Sequence, residues 1–223
     1  MRTLILGGTG DIGSSICSKL ETFLGADIQA VGSADFRLQE PSEIESFFNK
    51  NGNDFDTIIH AAGYNKVLPI EDIDYFEFQY SWEANVLGFL QTVQKCLPYW
   101  KQRKHGRIIV IGSLYSEIAR KNRLPYVMAK HSLFGAVQEL ALELAPYGVT
   151  VNMVSPGYID TGLTRQNNDP ETLADIISRI PLKRLGTPED IAEVVAFLAY
   201  NGYYITGQNI VVDGGYSAGG FQK

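Results

Sequence analysis

The sequence predicts a three-layer α/β domain: a mostly parallel sheet of about seven strands with helices on both faces. Three observations carry this. Short apolar runs alternate with helix-like segments from one end to the other, and strand–helix–strand repeats build parallel sheets through right-handed crossovers. The first strand runs straight into a glycine-rich turn that opens a helix. The chain has 223 residues, 45% of them hydrophobic, which suits one domain spanning 1–223 and leaves little room for a second.

Taken in order, the strands are expected at Thr3–Leu6, Ile28–Val31, Thr57–His60, Arg107–Ile111, Val149–Val154 and Asn209–Val212. The helices are expected at Asp11–Leu24, Pro41–Lys50, Asp72–Arg103, Pro125–Ala145, Pro170–Arg179 and Pro188–Tyr200. Several boundaries have a legible cause. Thr187 is a good N-cap, Pro188 fits the first helical position, and Glu189 and Asp190 oppose the helix dipole in the first turn. Asn51-Gly52 is a natural stop for the helix before it. There is no internal repeat, low-complexity tract or linker.

A net charge of -6 argues against general affinity for nucleic acid or anionic membranes. It leaves open a local basic pocket for a small molecule. Cys17 and Cys96 have neither metal-ligand spacing nor a disulfide framework. His60, His105 and His131 form no ligand set, so no metal is expected. The opening MRTLILGGTG is too short an apolar run for a signal peptide or a membrane span. A cytoplasmic protein is the expectation.

The glycine-rich turn reads Gly7-Gly8-Thr9-Gly10-Asp11-Ile12-Gly13-Ser14. Glycines in such a turn allow a tight bend, close approach of a pyrophosphate to the backbone, and close helix–sheet packing. The following helix directs unpaired N–H groups and its positive dipole end at the phosphates. Gly7, Thr9, Gly10, Asp11 and Ile12 are therefore candidate cofactor-binding residues. At the adenosine end, an acid after the second strand would grip a ribose 2′-hydroxyl. Here the strand ends Val31-Gly32-Ser33, without one. Ser33 and Arg37 are candidates for a 2′-phosphate and Asp35 for the adenine amino group, with a solvated loop as the alternative for the last two. The expected cofactor is NAD(P), with a slight lean to NADP(H).

Tyr126 and Lys130 lie four residues apart on an expected helix and so share a face. An ammonium beside a phenol favours the phenolate and lowers its pKa. A phenol tuned in this way exchanges a proton with the oxygen of an alcohol or carbonyl. Ser113, thirteen residues earlier at the end of a strand, is placed to hold that oxygen.

These features together resemble the short-chain dehydrogenase/reductase family, a Rossmann-fold family, over the whole chain. The glycine turn, Ala61-Ala62-Gly63, Asn85, Ser113, Tyr126, Lys130, Ser155-Pro156-Gly157 and Thr161 all occur in family order. The stretch from Pro181 to Gly215 is similar to the tail of classical members, including 3-oxoacyl-carrier-protein reductases and sugar or polyol dehydrogenases. The resemblance implies Tyr126 as acid/base, Lys130 as the residue that lowers its pKa and binds the nicotinamide ribose, and Ser113 as substrate anchor. It implies a relay water at Asn85, with a buried structural asparagine as the alternative. Ala61, Ala62 and Gly63 would line the dinucleotide. Pro156, Gly157, Ile159 and Thr161 would meet the nicotinamide end, Thr161 having a helix cap as its alternative role. The implied reaction is hydride transfer between a secondary alcohol and a ketone. Epimerisation or dehydration with retained NAD, and a non-catalytic dinucleotide-binding regulator, are the alternatives.

Asp11 stands where classical members have the middle glycine, and the spacing 7, 10, 13 resembles the extended branch. His60 replaces the first asparagine of the family's Asn-Asn-Ala-Gly. The segment between Ser113 and Tyr126 carries Tyr115, Glu117, Arg120, Lys121 and Arg123. Charge runs usually face water, so this segment is read as a solvated loop or subunit contact, the alternative being capture of a polar or anionic substrate. Tyr158 and Gly162–Pro170 are read as a lid. The aromatic helix with Tyr75, Phe76, Phe78, Tyr80, Trp82 and Phe89, and the helix with Leu133, Phe134, Val137 and Leu140, are read as the surface of a homodimer or homotetramer. Packing within the chain is the other possibility.

Overall fold

A computed structural model describes residues 1–219. The sheet is parallel throughout, in the order β2-β1-β3-β4-β5-β6. The strands are β1 Arg2–Leu6, β2 Asp27–Val31, β3 Thr57–His60, β4 Gly106–Ile111, β5 Val149–Pro156 and β6 Asn209–Val212. Its central strands β1, β3, β4 and β5 are buried on both faces, which is why they read as continuous apolar runs rather than alternating ones. Leu4, Leu6, Ile58, Ile108, Val110 and Val151 point to one face. There they meet α2 (Pro41–Asn51), α4 (Gly88–Arg103) and α5 (Leu124–Leu144) through Phe48, Phe89 and Leu133. The alternate residues Ile5, Ile59, Ile109 and Ile111 point to the other face. They pack on α1 (Asp11–Leu24) and α8 (Pro188–Tyr200) through Ile16, Ile191 and Val195.

Among the described residues the sheet has six strands, where the sequence led us to expect about seven. The stretch between Val31 and Thr57 holds one helix, α2, and no further strand. The chain therefore crosses directly from β2 to β3, and β2 becomes the sheet edge. The order reverses between β1 and β3, so the crevice where such folds bind ligands opens beyond the carboxyl ends of these two strands.

The single long helix expected from Asp72 is subdivided. Ile70–Asp72 is a separate 3-10 turn, and α3 (Tyr75–Trp82) begins where the Asp74 carboxylate accepts the Glu77 N–H at 2.7 Å. Glu83–Leu87 then widens into a π-turn before α4, a distortion that tends to mark functional sites. The Thr187 cap forms as expected: Thr187 Oγ1 accepts the Asp190 N–H, and the Asp190 carboxylate accepts the Thr187 N–H at 2.8 Å. Most of the residues proposed for a subunit surface are claimed by the chain itself, since Phe89, Leu133 and Val137 lie in the core. Tyr75 and Phe76 remain more than 70% exposed.

Among the described residues, no helix is long and apolar enough to cross a membrane, and no His/Cys/Asp/Glu group could hold a metal ion. Cys96 is buried, which pushes its thiol up to about 12, and Cys17 is raised for the same reason.

Candidate active site

The glycine turn sits on the β1/β3 crevice. Gly7 has φ +78°, and a Cβ there would lie 2.5 Å from the Ala62 nitrogen, so the β1 and β3 ends touch backbone to backbone. A Cβ on Gly13 would lie 2.1 Å from the Gly7 carbonyl oxygen. Gly13→Ala must therefore push α1 off the turn. We expect a loss of about 1–3 kcal/mol in urea denaturation, together with at least tenfold weaker NADPH binding.

Asp11 does not disturb this turn. Gly10 is the N-cap of α1, and the Asp11 carboxylate accepts the Gly162 N–H at 2.7 Å. It thereby ties the turn to the segment after β5. Ile12 is half-buried and packs against the core cluster beneath α8. Thr9 lies over Gly32, where a Cβ would come within 2.2 Å of Thr9 Oγ1. A side chain at position 32, where an acid would grip a ribose hydroxyl, would have to displace Thr9. Ser33 lines a cavity of about 170 Å³ together with Gly7, Gly32, Arg37, Ala62 and Gly63.

Two adenosine-end candidates are engaged elsewhere. The Asp35 carboxylate accepts the Gly32 N–H at 2.8 Å. Arg37 makes a two-point contact with Glu43, whose carboxyl is held below the usual range by that guanidinium. At the other end, Pro156 closes β5 and Gly157 abuts Asp213. Ile159 is buried in the core, and Thr161 caps α6 (Gly162–Gln166) by accepting the Thr164 N–H at 3.2 Å. The segment read as a lid thus contains a short helix, and Asp11 fastens its beginning.

Ser113, Tyr126 and Lys130 converge beyond β4. Lys130, 2% exposed, reaches up from α5 so that Nζ donates to the Ile111 carbonyl at 2.8 Å and lies 5.5 Å from the centre of the Tyr126 ring. Burial pushes Lys130 down to about 8. Burial also raises Tyr126 to about 12, opposed by a hydrogen bond from Ser113. The sequence led us to expect Lys130 to lower the phenol. Desolvation dominates at the phenol instead, and the ammonium is spent on a backbone carbonyl.

Asn85 stands in the π-turn with its side chain fully used. Nδ2 donates to the Tyr64 and Ser81 carbonyls at 2.9 and 2.8 Å, and Oδ1 accepts the Tyr64 N–H at 3.1 Å. These bonds clamp the Ala61–Tyr64 segment to the π-turn. His60 is its partner from below: Nε2 donates to the Asn85 carbonyl at 2.9 Å, and the ring stacks on Phe89. Burial, and then the Lys130 charge, push His60 down to about 3, so it is neutral.

A second cavity, of about 110 Å³, adjoins Ser113 and Tyr126 and is also lined by Asn65, Arg120, Arg123 and Tyr158. Here the reading of Leu114–Leu124 as a solvated face is corrected. Lys121 is exposed as expected, but Arg123 is only 4% exposed and Arg120 is half-buried. The tight bend at Asn122, with φ 63°, lets the chain fold them inward. Asn65 and Asn168, which receive these arginines, had no signal in the sequence beyond their polarity. A larger groove of about 820 Å³ runs between α1 and α8 past Asp11 and Thr161, but it contains none of Ser113, Tyr126 and Lys130.

Comparison with known proteins agrees with this geometry. The family model described as enoyl-(acyl carrier protein) reductase matches residues 20–217. A 3-oxoacyl-[acyl-carrier-protein] reductase FabG from Buchnera aphidicola subsp. Baizongia pistaciae is 36% identical over 182 residues, covering 80% of this chain and 74% of its own. A Beutenbergia cavernae protein assigned as an NAD(P)-dependent gluconate 5-dehydrogenase, with NADP bound at low occupancy, superposes with TM-score 0.92 at 27% identity over 97% of both chains. A 4-hydroxyisoleucine dehydrogenase complexed with NADH gives TM-score 0.89 at 26% identity, over 98% of this chain and 99% of that one. With the glycine turn on the crevice and Ser113, Tyr126 and Lys130 gathered beside it, the chain belongs to the short-chain dehydrogenase/reductase family, as an NAD(P)-dependent alcohol/ketone oxidoreductase of the classical, FabG-like branch.

Proposed function

We propose that Tyr126 is the acid/base of this oxidoreductase, that Ser113 anchors the reacting oxygen, and that Lys130 governs the phenol. The observation that carries this is the convergence of the three side chains at the carboxyl end of β4, next to the crevice. A bound nicotinamide supplies or accepts the hydride. In reduction, Ser113 donates a hydrogen bond to the carbonyl oxygen and Tyr126 delivers the proton that converts it to the alcohol. In oxidation, the phenolate takes the hydroxyl proton while hydride leaves the same carbon. Gly7, Thr9, Gly10, Ala61, Ala62 and Gly63 would line the dinucleotide from the β1/β3 side. Pro156, Gly157 and Thr161 would do so from the β5 side. Ile159 would contribute a backbone group only, since its side chain is in the core, and Ile12, half-buried against that core, would lend its N–H at the start of α1.

NADPH is the preferred cofactor in this reading. What supports it is that the strand ends Val31-Gly32-Ser33 with no acid there, and that Ser33 stands at the cavity wall. Arg37 is held by Glu43, so the preference is modest. Fluorescence titration with both reduced cofactors should give a lower Kd for NADPH by about three- to tenfold, roughly one added hydrogen bond. A lower Kd for NADH would remove the lean. A cytoplasmic dimer or tetramer fits the exposed Tyr75 and Phe76 on α3.

A further inference from the structure

Arg120 and Arg123 line the cavity that adjoins Ser113 and Tyr126, and among the described residues neither has a carboxylate partner. Arg123 Nη1 donates to the neutral Asn65 Oδ1 at 3.1 Å, and its buried Nε has no acceptor. Arg120 donates to Asn168 Oδ1 at 3.2 Å and lies 3.5 Å from the Tyr158 hydroxyl. Among the described residues no ion pair includes either side chain. The nearby acids are committed elsewhere. Glu117 accepts from Asn209, Asp160 holds Arg165, and Asp169 caps α7 (Pro170–Arg179).

A buried guanidinium held only by neutral groups is costly, and a second one beside it adds repulsion. Such a pair is expected where an anion arrives to complete it. The cavity is small, about 110 Å³, and the same space must hold the carbon to be oxidised or reduced. That favours a compact, planar anion over a bulkier one.

Deepening the reading above, on which it rests, we propose that the substrate is a small hydroxy or keto acid whose carboxylate is held by Arg123 and Arg120 while its alcohol or carbonyl oxygen meets Ser113 and Tyr126. Arg123 supplies the buried point of attachment. Arg120, steadied by Asn168 and Tyr158, closes the pocket on the side of the β5–α6 segment. The carboxylate thereby fixes which hydroxyl of a polyfunctional acid reaches Tyr126.

The test pairs short hydroxy acids and keto acids with their methyl esters. The parent enzyme should prefer acid over ester by about 10²-fold or more in kcat/KM, because a site built for a charged group leaves it unpaired with the ester. Arg123→Met should reduce that preference to within about threefold, and Arg120→Gln should reduce it partway. NADPH titration and circular dichroism report whether each variant is folded, and the half-buried Arg120 gives a second readout should Arg123→Met fail to fold. Calorimetry on NADP-loaded enzyme uses malonate and inorganic phosphate as probes, with malonate expected to bind at least tenfold more weakly to Arg123→Met. Equal use of acids and esters by the parent, or a preference that survives Arg123→Met, overturns the proposal. Tighter binding of phosphate than malonate overturns the carboxylate assignment. Tyr126→Phe separates the two levels. If it is inactive while acids and esters are used equally, only the arginine proposal falls. If it retains full turnover, the catalytic reading falls, and malonate binding still decides the arginine pair.

Discussion

Tyr126→Phe will lower kcat by about 10³-fold or more, while NADPH binding stays within about twofold. General acid/base groups contribute about 10² to 10⁴ in rate. The substitution removes one oxygen and leaves the ring in its edge-on contact with Tyr115. Lys130 keeps its bond to the Ile111 carbonyl, which does not involve the phenol. Among the described residues, the hydroxyl's partner that loses a contact is Ser113, whose own hydroxyl also accepts the Tyr115 N–H at 3.1 Å and so stays placed. The loss should therefore appear in kcat and kcat/KM together, the mark of an interaction made in the transition state. Single-turnover hydride transfer measured by absorbance checks this. Turnover within tenfold of the parent would remove Tyr126 from the chemistry.

Much of this site was legible in the sequence because local rules fix it. The tight packing of Gly13 on Gly7 involves only a few residues, and the four-residue step from Tyr126 to Lys130 follows from helix geometry. Pattern alone could not show contacts between distant segments. Asp11 meets Gly162 across 151 positions, and Asn85 uses its whole side chain on Tyr64 and Ser81. The seventh strand failed to appear because the interval between Val31 and Thr57 forms turns and the single helix α2 instead of a strand. Arg120 and Arg123 were misjudged for a related reason. A charge run has no periodicity that separates the residues folded inward at Asn122 from Lys121, which faces water.

The electrostatics of Lys130 give the last prediction. Buried and bonded to one carbonyl, its folded pKa is about 8 against an ordinary 10.5. Between these values the unfolded chain holds a proton that the folded protein lacks, so the stability governed by Lys130 rises with pH through this window. It is lost as pH falls to 8 and is flat below. The linkage between pH 8 and 10 amounts to about 2 kcal/mol. Tyr126, raised to about 12, acts in the opposite direction only above pH 10, where the unfolded phenol ionises first. Lys130→Met keeps the stem in the core and deletes the titration. Urea denaturation at pH 8 and pH 10 should therefore show a rise of about 2 kcal/mol in the parent relative to the variant. Activity should move the other way. The protonated amine is the form that favours the phenolate, so kcat/KM of the parent should fall as pH passes about 8. Lys130→Met should lose at least about 10²-fold in kcat/KM, and its profile should lack that limb. A variant that kept the limb would assign it to another group. A variant with the parent's stability difference between the two pH values would mean that Lys130 is solvated in the folded protein. The ammonium thus opposes folding at the pH where it serves the phenol, because one charge is both buried beside Tyr126 and needed there.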